Sequence, residues 1–177
     1  MKKLLSAVLL IASFVFTMAQ TSREEFKASM ERVEKLGKLS APKQTSVATL
    51  DNVNSEIGNS AKEAMSITPI LQNLYYRSIG QTSDGVTDVK VKKPSLKECE
   101  ELAARIFSQS QNLKTITSNL TSVSSESMAV TNPLKLAKVT SAVKYAKTAS
   151  SILGEETLFQ SKAIKSIIQT VKSSGNL

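Results

Sequence analysis

Histidine is absent from this 177-residue chain, which removes both the commonest general base and the commonest zinc ligand. Its one cysteine, Cys99, rules out an intramolecular disulfide, so the fold has to rest on packing. Tryptophan is missing and aromatic residues make up 5% of the chain. Such a composition favours packed helices with small side chains at their seams over an aromatic-rich sheet core or pocket. The six glycines are scattered, and none belongs to a glycine-rich loop after a strand. Ser-x-x-Lys strings occur at Ser40 to Lys43 and Ser141 to Lys144, without the Ser-Asp-Asn and Lys-Thr-Gly elements of the penicillin-recognising enzymes. A chain this rich in Ser and Lys generates such strings by chance. These absences point away from an enzyme, and neither a cofactor nor a metal is expected.

Long apolar runs are also scarce; the one that is present stands at the start. Lys2 and Lys3 precede an apolar stretch from Leu4 to Phe16, and Thr17-Met18-Ala19 offers small residues for signal peptidase. The stretch is shorter than the ~20 residues a membrane-crossing helix needs. Residues 1–19 are therefore expected to be a cleaved export signal of bacterial type. The mature protein, periplasmic or secreted, would start at Gln20 and carry no transmembrane segment. Residues 20–177 suffice for one domain with a real core.

The formal charge of +8 falls to +6 once Lys2 and Lys3 are set aside. Most of that excess is C-terminal, where seven lysines face two glutamates between Thr131 and Leu177. A basic tract of this kind attracts anionic surfaces or acidic partners through long-range fields, and is more often simply a solvated face.

Helical periodicity dominates the rest. Ser22-Arg-Glu-Glu25 has the form of a capping box, and Phe26, Met30, Val33 and Leu36 follow as the apolar stripe of a short helix that ends before Pro42. A second stripe runs from Val47 through Leu50, Val53, Ile57, Ala61, Ala64, Ile67, Leu71 and Leu74 to Gly80. It keeps its phase across Pro69, which predicts one long helix containing the proline. Residues 81–94 read as the main loop, since a lone strand at Val89 and Val91 would lack a partner.

Ser95-Leu-Lys-Glu98 is a second capping box, opening the strongest pattern in the chain: Cys99, Leu102, Ile106, Gln109, Leu113, Ile116, Leu120, Val123, Ser127 and Val130. It predicts a helix of ~50 Å. Asn132-Pro133 then starts another helix. Leu136, Val139, Val143, Ala146 and Leu153 form one stripe, and Phe159, Ala163, Ile167 and Val171 a second that is out of phase with it. Gly154 marks either a break or a slip. The expected fold is all-α: an elongated up-down antiparallel bundle of three long helices plus a shorter N-terminal helix.

Glu98, Glu100 and Glu101 fall in a first helical turn, where carboxylates oppose the helix dipole, and Glu155 and Glu156 after Gly154 invite the same reading. Lys162, Lys165 and Lys172 lie on one side of the last helix as a candidate binding face, and Tyr75-Tyr76-Arg77 is a candidate anchor. Cys99 sits at a seam position that favours a buried thiol; if exposed, it would be the candidate intermolecular disulfide.

Three functions follow as expectations. The first is an exported, non-enzymatic scaffold or interaction module of the cell envelope, binding a protein partner or self-associating as a homodimer. The second is a cationic holdase-like or anionic-surface-binding protein, which resembles the Skp-type periplasmic chaperones in being exported, basic and helical. The third is a carrier of a small apolar ligand, oriented by Gln109 and Ser127. Nucleic acid is not an expected partner.

Overall fold

The computed structural model describes residues 23–82, 84–128 and 132–174, without the side chains of 124–128 and Leu134. The expected export signal, Ser22 of the first capping box, the Ser127 side chain and Val130 lie outside the described residues. Among the described residues four helices form: α1 over residues 23–38, α2 Ala48–Ser78, α3 Leu96–Met128 and α4 Pro133–Ser174. The three long helices pack against one another, and α1 joins them through Phe26, Val33 and Leu36, all buried.

Local chemistry accounts for the helix ends. Ser95 and Glu98 form the capping box, with the Ser95 N–H donating to Glu98 Oε2 at 2.7 Å and the Glu98 N–H to Ser95 Oγ at 3.2 Å. Asn132 Oδ1 accepts from the Lys135 N–H at 3.3 Å, and Pro133 takes the first position of α4. At α2 the capping residue Val47 has no side-chain bond; Asp51 in the first turn reaches back to the Thr45 N–H at 2.9 Å. The 81–94 loop holds no strand among its described residues, only an isolated Gln81–Thr87 bridge. Gly80 and Gly85 turn there with φ near +71° and +78°.

Two apolar clusters lie one beyond the other along the bundle. The first joins Leu36, the Leu50–Ala64 half of α2, Ile116 and Val123 of α3, and Val139 to Leu153 of α4. The second joins Phe26, Ile67, Leu71 and Leu74, Cys99 to Ile106, and Ile164 and Ile167. Each helix visits both clusters, α1 and α3 in one direction and α2 and α4 in the other, which makes the up-down order explicit. Fully burying one such Leu or Ile stabilises the fold by ~1.5–3 kcal/mol.

Two predicted stripes need correction. In α1 Met30 is 45% exposed, and Ser29, one residue earlier, is fully buried in its place. In α4 the helix runs unbroken through Gly154, and its seam is Val139, Ala142, Ala146, Ala149, Leu153, Glu156, Gln160, Ile164 and Ile167, with Thr157 buried beside Glu156 towards α3. The spacing stays at three and four throughout. The apparent loss of phase arises because two seam positions are polar, while Phe159, Ala163 and Val171 are only half-buried and Leu136 is exposed. Pro69 lies inside α2 as the stripe predicted.

Candidate functional site

The reading of Glu156 as a first-turn carboxylate is overturned: α4 does not begin at Gly154, and Glu156 is 0% exposed between the two clusters. Its Oε1 accepts from Ser29 Oγ of α1 at 2.6 Å, Thr68 Oγ1 of α2 at 2.8 Å and Gln160 Nε2 at 3.2 Å. Its Oε2 accepts from Arg32 Nε at 2.9 Å. Glu155, by contrast, faces solvent.

Gln160 extends the network into α2, donating to Thr68 Oγ1 at 3.0 Å and the Ala64 carbonyl at 3.3 Å. That contact falls beside the turn weakened by Pro69, which supplies no N–H to the Met65 carbonyl. On the α3 side, Gln109 Nε2 donates to Thr157 Oγ1 at 3.2 Å. Every helix thus contributes to a polar belt that separates the apolar clusters. A carboxylate has about four acceptor sites, and Glu156 accepts three hydrogen bonds at Oε1 and one at Oε2. The carboxylate is fully enclosed, and its bonds tie α1, α2 and α4 together at one level of the bundle.

Two grooves open beside the belt. One, about 520 Å³, lies between α2 and α3 and is lined by polar side chains that include Glu56, Glu63, Arg105 and Gln109, with Ile116 as the apolar contribution. The other, also about 520 Å³, lies between α3 and α4 along Ser110, Lys114, Thr117, Gly154, Leu158 and Ser161. Nothing stands within 4 Å of where a Gly154 side chain would begin, so the missing Cβ leaves this wall open. Phe107 and Leu158 are 65% and 59% exposed. Phe107 lies three residues before Ser110 and seven before Lys114, which places it on the groove face of α3, one turn further on.

The sequence-predicted residues divide. Lys162, Lys165 and Lys172 are exposed on α4. Tyr75 and Tyr76 serve the bundle end instead: Tyr76 is buried, and Tyr75 packs on Phe26 with ring centroids 4.8 Å apart. Phe26 meets Phe159 edge-on at 5.1 Å, with the Arg32 guanidinium 5.5 Å above the Phe159 ring. Arg77 pairs with Glu98 at 2.9 Å and donates to the Lys92 carbonyl at 2.9 Å, pinning the loop to α3. That pairing, followed by the Ser95 hydrogen bonds, lowers the Glu98 pKa to about 2.

Cys99 is 0% exposed in the second cluster, and burial raises its thiol pKa. A disulfide between copies would require the first turn of α3 to open. Ser29, Arg32, Thr68, Glu156 and Gln160 were missed by hydrophobic periodicity. The available signal was the three-and-four spacing of α4, which remains continuous once Glu156 and Gln160 are allowed into the seam.

Among the described residues no group of three or more His, Cys, Asp or Glu is placed to hold a metal ion, and no helix is long and apolar enough to cross a membrane. Compared with protein families, curated proteins and solved structures, the chain matches none.

Proposed function

We propose that the chain is a non-catalytic, exported helical-bundle module that works in the cell envelope by binding a protein partner across its α3–α4 face. The observation that carries this reading is the pairing of two exposed large apolar side chains, Phe107 and Leu158, on the helices that flank one groove. Single exposed apolar residues are ordinary; two beside one concave surface make a docking patch. The groove lining holds Lys114 and no acid. Lys162 and Lys165 follow Leu158 and Ser161 at four-residue spacing on the same side of α4. This chemistry suits an acidic amphipathic helix, whose apolar stripe would meet Phe107 and Leu158.

The test is site-specific photo-crosslinking in cells from positions 107 and 158, with the exposed Lys97 as control. One discrete heterologous adduct from 107 and 158, absent from 97 and lost in Lys114→Glu/Lys165→Glu, is the expected result. An adduct between two copies of the chain would replace the partner with a homodimer, and no adduct at either position would overturn the reading. Retention of residues 1–19 on the purified cellular protein would overturn its export.

The second reading, binding to an anionic envelope surface, is favoured by the joint exposure of Lys162, Lys165 and Lys172. Binding to anionic vesicles or polymer that collapses with salt would support it. The apolar-ligand carrier fits less well, because the groove that Gln109 lines is polar.

A further inference from the structure

The exposed face of α4 is almost wholly basic. Seven lysines and two glutamates lie along the helix, and with Glu156 buried, Glu155 is the one acid at its surface. All seven lysines are exposed. Among the described residues, the ion pairs draw their cations from α1, α2 and α3, as Arg32, Lys38, Arg77, Lys97 and Arg105, and no lysine of α4 has a carboxylate partner. Exposed lysines alone would mean little, since most are simply solvated.

Their placement is the independent observation. Lys144 and Lys147 make one pair and Lys162 and Lys165 another, each at three-residue spacing. Corresponding members stand about five turns apart, ~27 Å along the helix, so the two pairs point the same way. At ~100° per residue they straddle the line opposite the buried seam, and Lys172 continues the row of Lys147 and Lys165. Exposed Thr148, Ser151 and Ser166 add hydroxyl donors beside them. Like charges one turn apart repel, so this arrangement weakens the helix that carries it and owes nothing to folding.

The two rows diverge from a convex crest. A thin polyanion would meet one side of that crest at a time, whereas a flat leaflet offers anionic headgroups to both rows along their whole length. From this geometry we propose that α4 lies lengthwise on an anionic lipid bilayer, with both lysine pairs and Lys172 against the headgroup phosphates. The inference rests on the anionic-surface reading and names its surface; Lys144 and Lys147 belong to it alone, so the partner-binding reading does not depend on it. Each lysine brought to an anionic leaflet is worth about fivefold in partitioning, and the five together ~10³-fold. That suffices for a peripheral, salt-reversible association and falls far short of permanent insertion.

The probes are vesicles of phosphatidylglycerol and phosphatidylcholine in equal parts, vesicles of phosphatidylcholine alone, and soluble dextran sulfate. Binding of the purified protein is read by co-flotation with the vesicles and by fluorescence anisotropy with the polymer. The expected result is binding to the mixed vesicles and not to the neutral ones, lost as salt rises. Lys144→Gln/Lys147→Gln and Lys162→Gln/Lys165→Gln should each weaken it ~30-fold, and equally, because a helix lying flat uses both pairs. The control, Lys35→Gln/Lys62→Gln, removes the same charge from exposed positions on α1 and α2 and should change binding little. All six substitutions are at exposed lysines, so every variant should melt near the parent temperature. Loss confined to one of the α4 pairs would mean docking by one end and overturn the lengthwise arrangement. An equal loss in the control would reduce the effect to net charge and overturn it too. Binding to dextran sulfate with none to the mixed vesicles would overturn the bilayer while leaving the anionic-surface reading in place, and binding to neither at low salt would overturn both.

Discussion

Ser29 Oγ stands 2.6 Å from Glu156 Oε1, a hydrogen bond between residues 127 positions apart that ties the short α1 to the middle of α4. Removing one member of such a buried network leaves the others unpaired. Glu156→Leu strands the hydroxyls of Ser29 and Thr68 and the Arg32 guanidinium, and should cost ~3–5 kcal/mol in denaturant unfolding. Replacing the enclosed set together, as Ser29→Ala, Thr68→Val, Glu156→Leu and Gln160→Leu, should recover most of that loss, because no stranded polar group remains among the four positions. A quadruple variant less stable than Glu156→Leu alone would refute this account of the belt.

How much of this was legible in the sequence follows from the same residues. The apolar seams of α2 and α3 were visible because Leu50 to Leu74 and Cys99 to Val123 repeat at three and four with a single polar member, Gln109. The capping box at Ser95 and Glu98 needed only local chemistry. Ser29 and Glu156 were hidden for one reason: periodicity detects burial through hydrophobicity, and both are buried by their partners. A lone Glu in a seam looks like an error of phase until the serine, threonine and arginine that meet it are known, and those come from helices far away in the chain. The grooves were illegible as well, since their volume depends on how α3 settles against its two neighbours.

The Cys99 thiol should resist modification in the folded protein. Burial lowers both its access and its thiolate fraction. A thiol reagent at neutral pH should label it only at the rate at which the surrounding structure opens, and reductant should leave the elution volume unchanged. Immediate stoichiometric labelling under native conditions would contradict the packing described.

Glu98 makes stability depend on pH in a defined window. Its folded pKa of about 2 lies below the ordinary glutamate value of 4.5, with Arg77 as the first cause and Ser95 as the second. The contribution is fully present above ~pH 5 and is lost as pH falls through the folded value. The gap in melting temperature between the parent and Glu98→Gln should therefore be constant from pH 7 to 5 and narrow towards pH 2. Glu98 is half exposed, so added salt should narrow it too.

Gly58 and Gly154 sit inside helices with nothing within 4 Å of an added Cβ. Alanine at either position should stabilise the fold by ~0.5–1 kcal/mol, since glycine carries the larger entropy cost of helix formation. The sites are far enough apart along the chain and the bundle for the two gains to add, which thermal or denaturant unfolding of the double variant measures. Bulk at 154 has a second effect, because that residue lines the α3–α4 groove: Gly154→Leu should weaken partner crosslinking from position 158 while leaving the fold intact.

The belt also divides the molecule's motions. Because Glu156 and its partners cross the bundle at mid-height, each apolar cluster is sealed at one end by hydrogen bonds and at the other by solvent. Either end can then fray as a unit while the opposite half stays closed, with the belt as the line at which fraying stops. Cys99 lies in only one of these halves. Its labelling rate is accordingly a clock for the Phe26–Ile167 end alone, and amide exchange around Leu50 and Ala146 should keep different time.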